Sequence, residues 1–144
     1  MADQINTGGV HHVRLTVTDI ARSREFYTSL LGFAVAVEAP PSDNPKSDPS
    51  YSVLWGGCVM ARGNLLLGLR PVAAAGDQFV ADRVGLDHLS FNVATRAELD
   101  AAIALFDSRG VVHGEIAELA GFGISVLPFR DPDGIQLELT SPIA

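Results

Sequence analysis

Two stretches of the chain repeat one pattern of apolar and polar positions. HVRLTV (12–17) and HLSFNV (88–93) each open on histidine, place apolar residues second, fourth and sixth, and place polar residues third and fifth. Such alternation predicts a half-buried strand, with His12 and Arg14 on one face and Val13, Leu15 and Val17 on the other. Asp19 then predicts an N-cap, Ile20, Phe26, Tyr27, Leu30 and Leu31 a helical apolar stripe, and Gly32 its stop. In the second half Thr95 and Glu98 make a capping-box signature, and Leu99, Ala102, Ile103 and Phe106 share one helix face. Arg109 lies in the last turn and Gly110 closes the helix. The two strands start 76 residues apart and the closing glycines lie 78 apart, so the halves keep step.

Each helix is followed by β-type segments, predicted near 33–38, 51–60 and 65–70 in the first half and near 111–117, 122–129 and 134–140 in the second. ARGN (61–64) and DPDG (131–134) supply hairpin turn residues. The pattern predicts an α+β fold of two βαβββ modules, 10–71 and 85–141, within one domain spanning 1–144. LLLGL (65–69) and IQLEL (135–139) align so that Gly68 takes the place of Glu138. EAPPSDNPKSDPSY (38–51), with four prolines, breaks the match and predicts a loop. It is either a lid or dimer contact, or an insertion without a role.

Composition narrows the partners. A chain of 144 residues that is 47% hydrophobic can bury a substantial core. Its net charge of −7 and its single lysine, Lys46, leave no basic stripe for a phosphate backbone, so nucleic acid is not an expected partner. An acidic surface also suits cationic small molecules. Cys58 stands alone and cannot form an internal disulfide, which points to a cytoplasmic protein. In its GGCVM setting it reads as a small buried hydrophobe rather than a nucleophile. No run approaches the ~18 apolar residues of a spanning helix, and the first ten residues lack a signal-peptide pattern. The expectation is a soluble protein, mature from its first residue, with no membrane partner.

The candidate chemistry rests on the repeated histidine. Alternation turns His11 away from the face that carries His12, so the repeat selects His12 and His88 as partners. Glu138 lies between Leu137 and Leu139, where a carboxylate is costly unless it is paired or ligating. Two imidazoles and one carboxylate suit a divalent ion with open positions, Fe(II) or alternatively Mn, Ni, Co or Zn. The competing structural reading makes each histidine a hydrogen-bonded strand residue and Glu138 an edge-strand charge. His113 is either a further acid–base group or a surface residue. Tyr51, Trp55 and Phe129 read as core before pocket, and Arg130 as a turn residue before an anion ligand.

HHVRLTVTDIARSREFYTSLLGF (11–33), GLDHLSFNV (85–93) and FRDPDGIQLEL (129–139) resemble the hallmark segments of the vicinal oxygen chelate superfamily. That superfamily includes glyoxalase I, bleomycin-resistance proteins, fosfomycin-inactivating thiol transferases and extradiol dioxygenases. The resemblance spans nearly the whole chain. It implies paired βαβββ modules forming a cupped mixed sheet around a central cleft, often in a homodimer. It also implies metal ligation by His12, His88 and Glu138, with Glu138 the catalytic carboxylate, and a small-molecule substrate. Where glyoxalase I and the related epimerases carry a fourth ligand, this chain has Gly68. The three remaining ligands resemble the dioxygenase and thiol-transferase branches. Two functions follow as expectations: a metal-dependent dioxygenase, lyase or thiol transferase that chelates vicinal substrate oxygens, or a bleomycin-resistance-like protein that sequesters an antibiotic or metabolite without chemistry. The intact triad favours the enzyme.

Overall fold

The computed structural model describes residues 3–39 and 51–143. The chain divides into two units, Met1–Gly76 and Asp77–Ala144, and each holds one βαβββ module. The first contains β1 (His12–Thr16), α1 (Ile20–Ser29), β2 (Ala34–Glu38), a short α2 (Tyr51–Leu54), β3 (Cys58–Arg62) and β4 (Leu65–Arg70). The second contains β5 (Leu89–Asn92), α3 (Arg96–Arg109), β6 (Ala117–Leu119), a 3₁₀ turn (Ala120–Phe122), β7 (Ile124–Arg130) and β8 (Gln136–Pro142). Their sheets run β1-β4-β3-β2 and β5-β8-β7-β6. In both, the first strand lies parallel to the last and the other pairs are antiparallel, so the expected α+β class with two mixed-sheet modules is the observed one.

The alternation of the sequence sets which face is covered. In β1 and just beyond it Leu15 and Val17 are buried while His12, Arg14 and Thr16 are exposed. Leu67 and Leu69 of β4 and Leu137 and Leu139 of β8 are likewise buried. Helix α1 packs on β4, and α3 on β7 and β8, so the apolar faces are the helix-covered ones. Tyr27 is fully buried and meets Phe33 edge-on, with ring centroids 6.4 Å apart. Phe106 stacks on Phe129 at 4.7 Å, which places Phe129 in the core. Each fully buried side chain of this size contributes roughly 1.5–3 kcal/mol.

Caps fall where the sequence puts them. Asp19 accepts the Arg22 N–H at 3.0 Å, and the Thr95 N–H donates to the Glu98 carboxylate at 2.7 Å. Gly110 closes α3 in the left-handed region at φ 67°, a conformation that costs glycine little.

Two predicted strands are corrected. The strand expected over 51–60 is the helix Tyr51–Leu54 followed by a strand that begins only at Cys58. Trp55 and Gly56 both take positive φ, 56° and 77°, and the Gly57 N–H returns to the Leu54 carbonyl at 2.8 Å, so extended backbone is interrupted. The strand expected over 111–117 is a single bridge, His113 to Phe129, and regular pairing starts at Ala117. Between these two points the register shifts by one residue. The first module carries the same irregularity between Val35 and Val37. Such one-residue bulges bend a strand without leaving a hydrophobic signature. Residues 40–50, most of the predicted 38–51 loop, and the side chain of Tyr51 lie outside the described residues.

Candidate functional site

The face of each sheet opposite its helix carries the polar residues that the repeat places opposite one another. In the second module Ser90 pairs in register with Glu138, and in the first Arg14 pairs with Gly68. Each pair begins two residues after its histidine, so His88, Ser90 and Glu138 correspond position by position to His12, Arg14 and Gly68.

In the second module His88 Nε2 lies 3.8 Å from Glu138 Oε1. The other ring nitrogen, Nδ1, lies 2.6 Å from Asp87 Oδ1. An ionised carboxylate only accepts, so Nδ1 carries a proton, and Nε2 is the ring nitrogen turned toward Glu138. Glu138 is itself anchored, because the Thr140 hydroxyl donates to its Oε1 at 3.4 Å. Ser90 and Thr140 meet through their hydroxyls at 2.5 Å, and with the Thr140 proton directed to Glu138, Ser90 is the donor. The Glu138 side chain is 21% exposed, which leaves its carboxylate within reach of a ligand.

In the first module His12 also has a partner at Nδ1, but that partner is the Nδ1 of His11, 2.8 Å away. His11 therefore does not point away from His12, as alternation predicts. It precedes the first residue of β1, where the pleat no longer dictates direction. His12 leaves its Nε2 lone pair available in the tautomer in which it donates to His11. Both histidines line a hollow of about 260 Å³ together with Arg14, Leu54, Leu66 and Gly68. Gly68 is buried, and the nearest atom to a side chain placed there is Arg14 Cγ, 3.1 Å from an ideal Cβ. Arg14 thus lies across Gly68, its guanidinium donating to the Val53 carbonyl. Among the described residues no carboxylate pairs with it.

His88 and Glu138 are brought together within one unit, whereas His12 belongs to the other. Within either unit, no group of three or more His, Cys, Asp or Glu side chains able to hold a metal is found among the described residues. Two participants, Asp87 and Arg14, are not singled out in the sequence, and His11 is set aside there. Asp87 and His11 occupy the same repeat position, directly before each histidine, and Arg14 was visible only as a neighbour on His12's face.

The remaining candidates resolve into structure. Both nitrogens of His113 face oxygens, Asp107 Oδ1 at 2.8 Å and the Gly114 carbonyl at 2.7 Å, an arrangement that only the protonated ring fully satisfies. Its pKa is accordingly raised, first by the Asp107 hydrogen bond. Arg130 donates to the Gly134 carbonyl at 3.1 Å and so holds the DPDG turn, inside which Asp131 accepts the N–H groups of Asp133 and Ile135. Cys58 is fully buried, and burial pushes its thiol pKa up, away from the reactive thiolate. Trp55 is half-buried beneath the Arg70 guanidinium, 4.0 Å from its ring.

Known proteins share this organisation. Residues 9–139 match the Glyoxalase/Bleomycin resistance protein/Dioxygenase superfamily. An uncharacterized protein of Escherichia coli strain K12, YaeR, is 29% identical over 131 residues, covering 90% of this chain and 93% of that one. The glyoxylase/bleomycin resistance protein/dioxygenase domain from Frankia sp. EAN1pec superposes with a TM-score of 0.73 at 27% identity, covering 95% of this chain and 93% of the other. Lactoylglutathione lyase from Agrobacterium tumefaciens superposes with a TM-score of 0.67 at 17% identity over 95% of this chain and 96% of its own, a likeness of fold alone.

Proposed function

The chain belongs to the glyoxalase/bleomycin resistance protein/dioxygenase superfamily, whose members bind small molecules, and from that premise we propose that it is a metal-dependent small-molecule enzyme. His88 and Glu138 hold a divalent ion, with His12 as the third ligand. The observation that carries this reading is the His88–Glu138 pair. Its donors are 3.8 Å apart, less than twice a ligand bond of about 2.1 Å, so one ion can reach both. Asp87 on the far nitrogen of His88 supports it further, since a carboxylate there fixes the ring and raises its basicity.

When bound, such an ion supplies Lewis acidity toward two neighbouring substrate oxygens. The protein's own groups do the rest. Glu138 is the only carboxylate at the paired strand positions, because its counterpart is Gly68, and it is therefore the proton acceptor of the site. The Ser90–Thr140 hydroxyl pair fixes one of its oxygens and leaves the second free. A single basic carboxylate fits dioxygenase or thiol-transferase chemistry better than lyase chemistry that needs two carboxylates on opposite faces of the substrate.

Anaerobic titration with Fe(II), Mn(II), Ni(II) and Zn(II), wild type against Glu138→Ala, tests the reading. The expected result is binding of about one ion per chain that Glu138→Ala abolishes. Absence of binding by every ion would overturn it and leave sequestration of a small molecule as the function.

A further inference from the structure

The two modules place opposite chemistry at equivalent positions. Where the second carries Ser90 and Glu138, an acceptor site, the first carries Arg14 and Gly68. Gly68 has no side chain to offer, and Arg14 lies over it. We propose that this hollow binds an organic oxyanion, and that Arg14 recognises the anionic end of that ligand. The inference names a ligand class for the first module's hollow, rests on the proposed function only through His12, and does not require the metal.

Three observations carry it. The guanidinium has one acceptor among the described residues, the Val53 carbonyl, and no carboxylate partner, so donors remain for a ligand. Among the described residues, the other polar side chains of the hollow are His11 and His12 and no acidic residue lines it, so none of them repels an anion. Its remaining wall is apolar, with Leu54, Val59 and Leu66, so a ligand with an apolar body and one charged end is matched at both ends. A volume of about 260 Å³ lies below the roughly 300–1,000 Å³ of drug-sized sites, which restricts the ligand to a small metabolite. The acidic net charge of −7 suggests a cationic ligand, but this local field points the other way.

Gly68 is also informative as a site of change. An added side chain would first meet the flexible Arg14 stem, and the backbone there needs no positive φ, so a carboxylate can be introduced beside the guanidinium.

The test uses full-length protein freed of metal with a chelator, titrated by calorimetry with benzoate, phenylphosphonate, benzamide and benzamidine. These probes share one ring and differ in charge. Benzoate or phenylphosphonate is expected to bind at least about tenfold more tightly than benzamidine, their ratio separating carboxylate from phosphonate ligands. Arg14→Ala is expected to weaken the anions about tenfold or more while leaving benzamide within about twofold. Arg14→Lys should fall between, because it keeps the charge and loses the planar fork. Gly68→Glu should weaken the anions as Arg14→Ala does, by pairing with Arg14, and circular dichroism establishes that each variant is folded. Benzamidine binding as tightly as benzoate, anion affinity unchanged in folded Arg14→Ala or Gly68→Glu, or no anion binding at all would overturn the proposal. Because metal is absent throughout, these outcomes are independent of the metal titration.

Discussion

The two modules share strand order, parallel first-to-last pairing and a bulge in the second strand, yet they diverge at the positions that face away from the helices. His88, Asp87, Ser90 and Glu138 form an acceptor-rich cluster suited to a cation, whereas His12, His11, Arg14 and Gly68 form a donor-rich one suited to an anion. On the proposed reading, the difference lets two modules of one architecture take separate tasks. Helix-facing positions are held to apolar residues by the core in both halves, while the opposite face is free to differentiate.

Glu138→Ala against Gly68→Ala breaks the comparison most sharply. The first is expected to eliminate stoichiometric Mn(II) binding and the second to leave it in place, as read by calorimetry. Leu67 and Leu137 occupy the same repeat position and are both fully buried. Truncating either to alanine should cost about 2–5 kcal/mol in denaturant unfolding, and a cost below that range in one module alone would show that the cores are not equivalent. Asp87→Ala should weaken Mn(II) binding about 10–100-fold, and His11→Ala should spare it, because only the carboxylate raises the basicity of its histidine. Equal losses would remove the distinction.

The smallest effect concerns the His113–Asp107 pair, which has no counterpart at the first module's bulge. The pKa of His113 is raised, so its stabilising contribution is complete below the unfolded value of about 6.5 and is lost as pH rises through the higher folded value. With Asp107 largely exposed, the contribution is below about 1 kcal/mol. Asp107→Asn should lower the melting temperature slightly at pH 5.5 and leave it nearly unchanged at pH 9.

Much of this architecture was legible in the chain. The repeated histidines, caps and closing glycines set the two modules in register, and strand alternation assigned the buried faces, because local sterics and burial act at fixed periods. What escaped were departures from period. Tyr51, Val53, Leu54 and Trp55 are strand-favouring or apolar, yet Trp55 and Gly56 turn the backbone to positive φ and end a helix there. A single inserted residue near His113 changes pairing without changing composition. The direction of His11 escaped because it stands one residue before the strand that was used to orient it. Of the candidate site, the sequence offered His12, His88 and Glu138, but not Arg14 over Gly68, which depends on the parallel pairing of β1 with β4. The signal was present in Arg14 sharing the face of His12 and in glycine replacing Glu138 in the repeat.

Anomalous diffraction from crystals soaked in Mn(II) would test the central claim most directly. The account predicts one ion about 2.0–2.3 Å from His88 Nε2, a Glu138 oxygen and a His12 nitrogen, with Asp87 still on His88 Nδ1. An ion bound elsewhere, or bound without Glu138, would contradict it.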